Sequence, residues 1–325
     1  MLGGTGFVGW AVVTEALDRD WEVTVFHRGT GTGTAPEGAA VLHGDRTAEN
    51  GLSALATGEW DAVVDTWSGA PAAVLRAARL LSGRVGHYAY VSSRSVYAFP
   101  AAAGLDEDGA VVEGDPAADA TDYASDKRGG ELAAEAVFGE RALHVRAGLI
   151  LGPHEDIGRL PWWLGRIAEG GPVLAPGPRD LPIQYVDARD LAVWTLDAVE
   201  RGLGGPYNLV SPPGHATMGD LLAACVRATG SDADLRWTDP DTVLAAGIEP
   251  WSDLPVWLPP GEAHATMHQG DVSRAVAAGL RCRPVDATVA DTWAWMRSLD
   301  GPVPQRPDRP NPGLTPEVEA AVLGG

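Results

Sequence analysis

Cysteine is nearly missing from this chain: Cys225 and Cys282 are the only two among 325 residues. Two isolated thiols cannot build a disulfide framework or a thiolate zinc cluster, which points to a reducing compartment and inert thiols. Positive charge is also scarce, with 24 basic residues against 44 acidic ones and a formal net charge of −20. A surface of that sign repels phosphate polymers and anionic lipid, so neither nucleic acid nor membrane is expected as a partner. No apolar run is long enough to span a bilayer and no charged-then-apolar leader opens the chain, so a cytoplasmic protein is expected. Metal-ligand spacing is lacking too. His154-Glu155-Asp156 comes nearest, but adjacent residues do not easily converge on one ion, and no metal site is expected.

What is present suits an enzyme of two lobes. A hydrophobic content of 45% fills more than one core, and 325 residues exceed what a single core usually holds. Strand and helix patterns alternate up to about Leu151, as a doubly wound parallel sheet requires. The dinucleotide-binding domain is expected over 1–151 with a return segment at about 181–202. A smaller substrate lobe is expected over about 152–180 and 203–300, where Trp, Pro and Gly become denser. Residues 301–325 read as a proline-rich tail, an extended arm against the surface. Gly29 to Thr34 reads as a flexible loop after the second strand, and Pro100 to Pro116 as a long irregular crossing.

Three stations carry the chemistry. Leu2-Gly3-Gly4-Thr5-Gly6-Phe7-Val8-Gly9 reads as strand, tight turn and helix start. Glycine lets the backbone approach a pyrophosphate, and free N–H groups at the helix start bind the anion. About twenty residues on, the strand Glu22–Phe26 ends at His27 and Arg28. No carboxylate stands there to accept from a ribose 2′-OH, whereas Arg28 can pair with a 2′-phosphate, so NADP(H) is preferred with NAD(H) as the second candidate. Arg28 as a solvated loop charge is the competing reading. Lastly, Tyr123 and Lys127 lie four apart, on one face of a helix, about thirty residues after Ser92-Ser93. A phenol beside an ammonium is a stronger acid, suited to proton transfer.

With these stations in this order, the chain resembles the extended short-chain dehydrogenase/reductase family, also called the NAD-dependent epimerase/dehydratase family. The resemblance covers nearly the whole chain. It includes Gly44-Asp45-Arg46, Asp61 to Thr66, Tyr88 to Tyr97, Val145 to Pro153 with Ala147 in place of the usual proline, and Tyr185 to Leu191. It implies an α/β fold, a doubly wound parallel (Rossmann) sheet with a smaller C-terminal substrate lobe. The implied catalytic residues are Ser93, counted back four from Tyr97, Tyr123 as general acid and Lys127 as ribose contact. The implied cofactor contacts are Gly3, Thr5, Gly6, Phe7, Val8, Gly9, His27, Arg28, Asp45, Arg46, Thr66, Trp67, Ser92, Lys127 and Arg146. Arg94, Trp162, Trp163 and Gln184 are implied at the substrate.

Departures from the family narrow the reaction. Arg94-Ser95 stands where nucleotide-sugar dehydratases carry Asp-Glu, so the acid and base of dehydration are lost. Ile183 and Asp187 replace an Arg and a His suited to a diphosphate, although Arg179 or Arg159 could bring charge from elsewhere. Paired tryptophans at 162 and 163, with Trp251 and Trp257, can line an apolar pocket, while burial habit favours packing. Such a pocket would favour a neutral substrate. Only Met1 and Leu2 precede Gly3 where a central strand normally needs about five residues, so either the start is assigned too late, or the chain is trimmed, or the first strand is stunted.

The sequence thus reads as an NADP(H)-dependent oxidoreductase reducing a small carbonyl, or oxidising the alcohol, by a Ser-Tyr-Lys mechanism. The alternatives are a nucleotide-sugar epimerase with retained NAD and a non-catalytic RNA-associated relative. The expected partner is a small molecule, with homodimerisation allowed.

Overall fold

A parallel sheet needs near-continuous apolar strands, and the chain supplies them in register. The structure is a computed structural model describing residues 1–29, 33–307 and 309–324; Thr30 to Thr32 of the expected flexible loop lie outside the described residues. Helix α1 (Phe7–Asp18) buries Phe7, Ala11, Val12, Val13 and Ala16. Strand β1 (Thr24–His27) pairs in parallel with β2 (Ala40–His43). Strand β3 (Trp60–Asp65) is followed by α2 (Pro71–Leu81), then by β4 (Val85–Ser93), buried at every position but one. Helix α3 (Tyr123–Phe138) leads to β5 (Ala142–Ala147). In the four-stranded parallel part, β4 lies between β3 and β5, and Gly205–Leu209 forms the edge beyond β5. Leu2 makes parallel bridges to both Phe26 and Asp65, joining the two parts of the sheet.

Helices cover both faces, as buried parallel strands demand. On one side α1 packs with the helix Ala188–Glu200, and on the other α2 packs with α3. Two apolar clusters follow this division, one around Val12, Val91, Val145 and Leu191, the other around Val63, Tyr88, Leu81 and Phe138. Helix α3 starts because the Asp122 carboxylate accepts from the N–H groups of Ala124 and Ser125. It approaches β4 closely because Gly130 has no side chain: a Cβ there would collide with the Tyr90 ring.

The smaller lobe is a helical layer, where α4 (Arg159–Ala168) and the helices Met218–Thr229 and Val285–Ser298 pack together. Alongside runs a parallel pair, Pro172–Pro176 with Asp234–Thr238. Leu160, Leu164 and Ile167 are fully buried here, each worth about 1.5–3 kcal/mol by area.

Two expected boundaries move. The strand Gly205–Leu209, assigned to the lobe, belongs to the main sheet because its register on β5 buries Asn208 and Leu209. Ala275, Ala278 and Leu280 likewise join the dinucleotide-side core. The tail is extended only as far as Thr315, whose hydroxyl accepts from Val318 N–H and caps a helix over Pro316–Leu323. That helix is pinned where the buried Glu319 carboxylate accepts from Arg166 Nε at 2.6 Å and Leu174 N–H at 2.9 Å.

Candidate active site

Every helix start leaves N–H groups without partners, and at α1 no side chain supplies one. Gly6, exposed, is the N-cap, and Thr5 and Val8 are half-buried beside it. Gly9 is required by close approach: a Cβ there would lie 2.6 Å from Gly4 N. The turn therefore packs against its own helix and keeps its amides open to an anion. Gly3 packs against Thr66, whose hydroxyl donates to Leu2 O at 3.2 Å. These residues fit a dinucleotide pyrophosphate.

His27 and His43 end β1 and β2. His27 is half-buried, accepts from Gly29 N–H through Nδ1 at 3.1 Å and meets His43 edge to face at 4.9 Å. Burial first and His43 second lower its pKa. Arg28 is exposed beyond it. Asp45 faces the same end. Hydrogen bonds from the Thr47 hydroxyl and N–H, at 2.6 and 2.9 Å, hold its carboxyl below the ordinary value, and Arg28 adds to the effect.

Tyr123 is the first residue of α3 and stands 42% exposed. Lys127, one turn on, is buried; it is also the only lysine in the chain. Its Nζ donates to Trp67 O and Val91 O, each at 2.7 Å, and lies 4.9 Å from the Tyr90 ring centroid. Burial lowers its pKa to about 7, outweighing the attraction of Asp65 and Glu131, with Arg306 adding to the lowering. Ser93 ends β4, where its hydroxyl donates to Ser95 Oγ and accepts from Ser95 N–H, both at 3.1 Å. Helix α3 packs on the short turn Arg94–Val96 that follows this serine, which brings the Ser93 and Tyr123 segments to one end of the sheet.

Other residues assigned from the sequence serve the interior. Arg46 forms a buried two-pronged pair with Asp65 at 2.7 and 2.8 Å, and Tyr88 Oη donates to the same carboxylate at 2.6 Å. Burial would raise Asp65, but the Arg46 charge and these hydrogen bonds outweigh it and hold it low. Arg46 also lies 5.0 Å from the Trp67 ring, and Trp67 Nε1 donates to Ala70 O. Ser92 Oγ donates to Glu131 at 2.7 Å, and Arg146 donates twice to Glu131 at 2.9 Å and once to Tyr97 Oη at 3.1 Å. Arg94 donates to the carbonyls of Met267 and Thr266. Gln184 is fully buried, giving its amide to Ser211 O and Gly270 O and accepting from Gly270 N–H. Trp163 is fully buried and donates to Pro255 O; Trp162 is half-buried against it. These contacts tie strands and loops of the interior together, although Arg46 Nε and Arg94 Nε are buried without a hydrogen-bond partner among the described residues.

The tryptophans and the arginines near Tyr123 occupy different places. Trp163 and Trp257 lie wholly in the lobe core, while two arginines reach the start of α3 from elsewhere. Arg309 lies over the Tyr123 ring at 5.9 Å, and Arg159 feels the charges of both Tyr123 and Arg309. The arm that carries Arg309 is held alongside: Arg306 N–H donates to Asp156 O at 2.9 Å, and Gln305 lies over Gly158. Asp156 in turn faces Gly6. Sequence reasoning missed Arg306, Arg309 and Asp156 because only tertiary folding brings residues near 306 back to residues 6, 123 and 156.

Among the described residues no group of His, Cys, Asp and Glu could hold a metal, and no helix is long and apolar enough to cross a membrane. The model of the NAD dependent epimerase/dehydratase family matches residues 1–209. No match was found among curated proteins. Among solved structures, UDP-glucose 4-epimerase from Thermotoga maritima, determined with UDP-glucose, is 16% identical at a TM-score of 0.66, covering 91% of this chain and 97% of that one. UDP-N-acetylglucosamine 4-epimerase from Methanobrevibacter ruminantium, in complex with UDP-N-acetylmuramic acid, is 16% identical at 0.67, with the same coverages. The Bordetella bronchiseptica enzyme WbmG, in complex with NAD and UDP, is 18% identical at 0.65, covering 91% and 94%. At these identities the likeness is one of fold, a Rossmann-type α/β fold. The family match over the first 209 residues, with the glycine turn, Ser93 and the Tyr123/Lys127 pair inside it, places this chain in the NAD-dependent epimerase/dehydratase family.

Proposed function

We propose that the protein is an NADP(H)-dependent oxidoreductase that reduces a small carbonyl compound, or oxidises the alcohol, through Ser93, Tyr123 and Lys127. The observation that carries this reading is the first turn of α3, which leaves Tyr123 exposed one turn before a buried lysine with a pKa of about 7. The open amides of α1 and the turn Gly3 to Gly9 suit the cofactor's pyrophosphate. Nicotinamide, when bound, supplies the hydride chemistry. Tyr123 gives its proton to the substrate oxygen as negative charge develops there. The Ser93 hydroxyl holds that oxygen by hydrogen bonding. Lys127 supports the cofactor ribose and the local positive field.

The preference for NADP(H) rests on Arg28, exposed at the tip of β1 with no carboxylate at position 27. NADPH is expected to bind more tightly than NADH, and Arg28→Glu to weaken NADPH selectively. A fluorescence titration in which the wild type prefers NADH, or in which Arg28→Glu leaves the ratio unchanged, would overturn the preference.

A second reading, nucleotide-sugar epimerase with retained NAD, is favoured by the fold neighbours, two of which are UDP-sugar epimerases. Tightly held NAD recovered from the purified protein would support it, and exchangeable NADPH would support net reduction. The intact triad and the net charge of −20 weigh against a non-catalytic RNA-binding role. The same charge supports a small-molecule partner rather than nucleic acid or membrane, and the two isolated cysteines support a cytoplasmic setting.

A further inference from the structure

Two guanidinium groups lie near Tyr123, and among the described residues neither is hydrogen-bonded to a carboxylate. Arg159, the first residue of α4, is half-buried and lies over the Trp251 ring at 5.3 Å. Arg309 comes from the C-terminal arm and lies over the Tyr123 ring at 5.9 Å. Among the described residues neither guanidinium donates to a carboxylate or a carbonyl; Glu155, the nearest candidate for Arg159, instead accepts from the backbone N–H groups of Arg159 and Leu160. Burial raises the Glu155 pKa to about 7, with the Arg159 charge opposing the rise. Burial lowers the Arg159 pKa, Glu155 opposes this, and Arg309 adds to the lowering. A guanidinium stacked on a ring keeps its N–H edge free for a planar acceptor. Arg159 is half-buried and Arg309 exposed, and two like charges brought this close repel each other unless an anion joins them. In a chain of net charge −20, such a cluster cannot be the by-product of a generally basic surface.

We propose that Arg159 and Arg309 form an anion subsite beside Tyr123, which holds a carboxylate or phosphate carried by the carbonyl substrate. The inference rests on the oxidoreductase reading for the word substrate, but the subsite itself can be tested without turnover. The C-terminal arm then contributes to recognition: it brings Arg309 to the Tyr123 ring, near Arg159.

The test uses the full chain with NADPH present, as wild type, Arg159→Gln, Arg309→Gln and the double variant. Inorganic phosphate and acetate are titrated by calorimetry. Reduction is measured on matched pairs, dihydroxyacetone phosphate against dihydroxyacetone and levulinate against 2-pentanone. Wild type is expected to bind at least one anion saturably, and each single variant to weaken it about tenfold or more, the scale of a lost charge-assisted hydrogen bond. The charged member of a pair is expected to have the higher kcat/KM, through KM. Both single variants should lower the charged-to-neutral ratio about tenfold. The phosphate and carboxylate arms show which group fits. Failure of wild type to bind either anion, or equal binding by the double variant, overturns the subsite. Anion binding lost in the variants, with no carbonyl reduced at all, keeps the subsite and overturns the oxidoreductase reading.

Discussion

Tyr123 and Lys127 divide the chemistry by exposure, although they share one helical turn. The phenol is exposed, whereas the ammonium is buried and bonded to two carbonyls. Tyr123→Phe is therefore expected to cut turnover about a hundredfold or more while leaving cofactor affinity near wild type. Steady-state rates with a parallel NADPH titration decide it; a variant within a few-fold of wild type would show that the phenol is not the acid. Because Lys127 is the only lysine, lysine labelled with nitrogen-15 gives a single side-chain resonance. Its midpoint is expected near pH 7 in the cofactor-free protein. The folded pKa is lowered, so between about pH 7 and the ordinary lysine value near 10.4 the unfolded chain binds the extra proton. Stability from this group therefore rises with pH across that window, by at most about 1.4 kcal/mol per unit, and is absent below it. Urea unfolding at pH 7 and pH 9 should show a steeper rise for wild type than for Lys127→Met.

At the scale of elements, the site depends on how closely α3 lies against β4. Gly130 permits that approach, and its ideal Cβ would meet the Tyr90 ring and hydroxyl. Alanine is the better helix former by about 1 kcal/mol, yet overpacking a tight contact costs about 1–3 kcal/mol. Gly130→Ala is therefore expected to destabilise in urea and to lower activity, because any retreat of α3 carries Tyr123 with it. Shortening the neighbour, in Gly130→Ala with Tyr90→Leu, should recover part of the stability; no recovery would show that the strain lies elsewhere. Behind β4, Glu131 accepts from Ser92, Arg128 and Arg146. That network fixes strand to helix and explains why Ser92 and Arg146 are occupied even though the family pattern points to them.

For the whole molecule, the C-terminal arm joins the two lobes. Its far end is held by Glu319 on Arg166 and Leu174 N–H, and Gly313 N–H donates to Ser252 O nearer the site. Glu319→Gln removes the charge of that anchor. Limited proteolysis is expected to cut residues 302–315 faster in Glu319→Gln, with the main unfolding transition shifted little, since an extended arm makes few core contacts. Equal cleavage in both proteins would show that the arm is held by other contacts.

Much of this was legible in the sequence for local reasons. The period of the apolar residues, the glycine turn and the four-residue spacing of Tyr123 and Lys127 are properties of neighbouring residues, and they made the α/β class, α1 and the helical turn carrying Tyr123 and Lys127 legible. What tertiary structure decided was the choice among partners that no local pattern encodes. Arg46 and Arg146 could have faced a ligand, but the carboxylates of Asp65 and Glu131 are buried beside them, and a buried carboxylate without a cation is too costly to leave. Gly205–Leu209 joined the main sheet because an open edge on β5 was there to pair. Arg309 reaches Tyr123 across 186 residues of chain, a distance at which only the packed fold sets which charges meet.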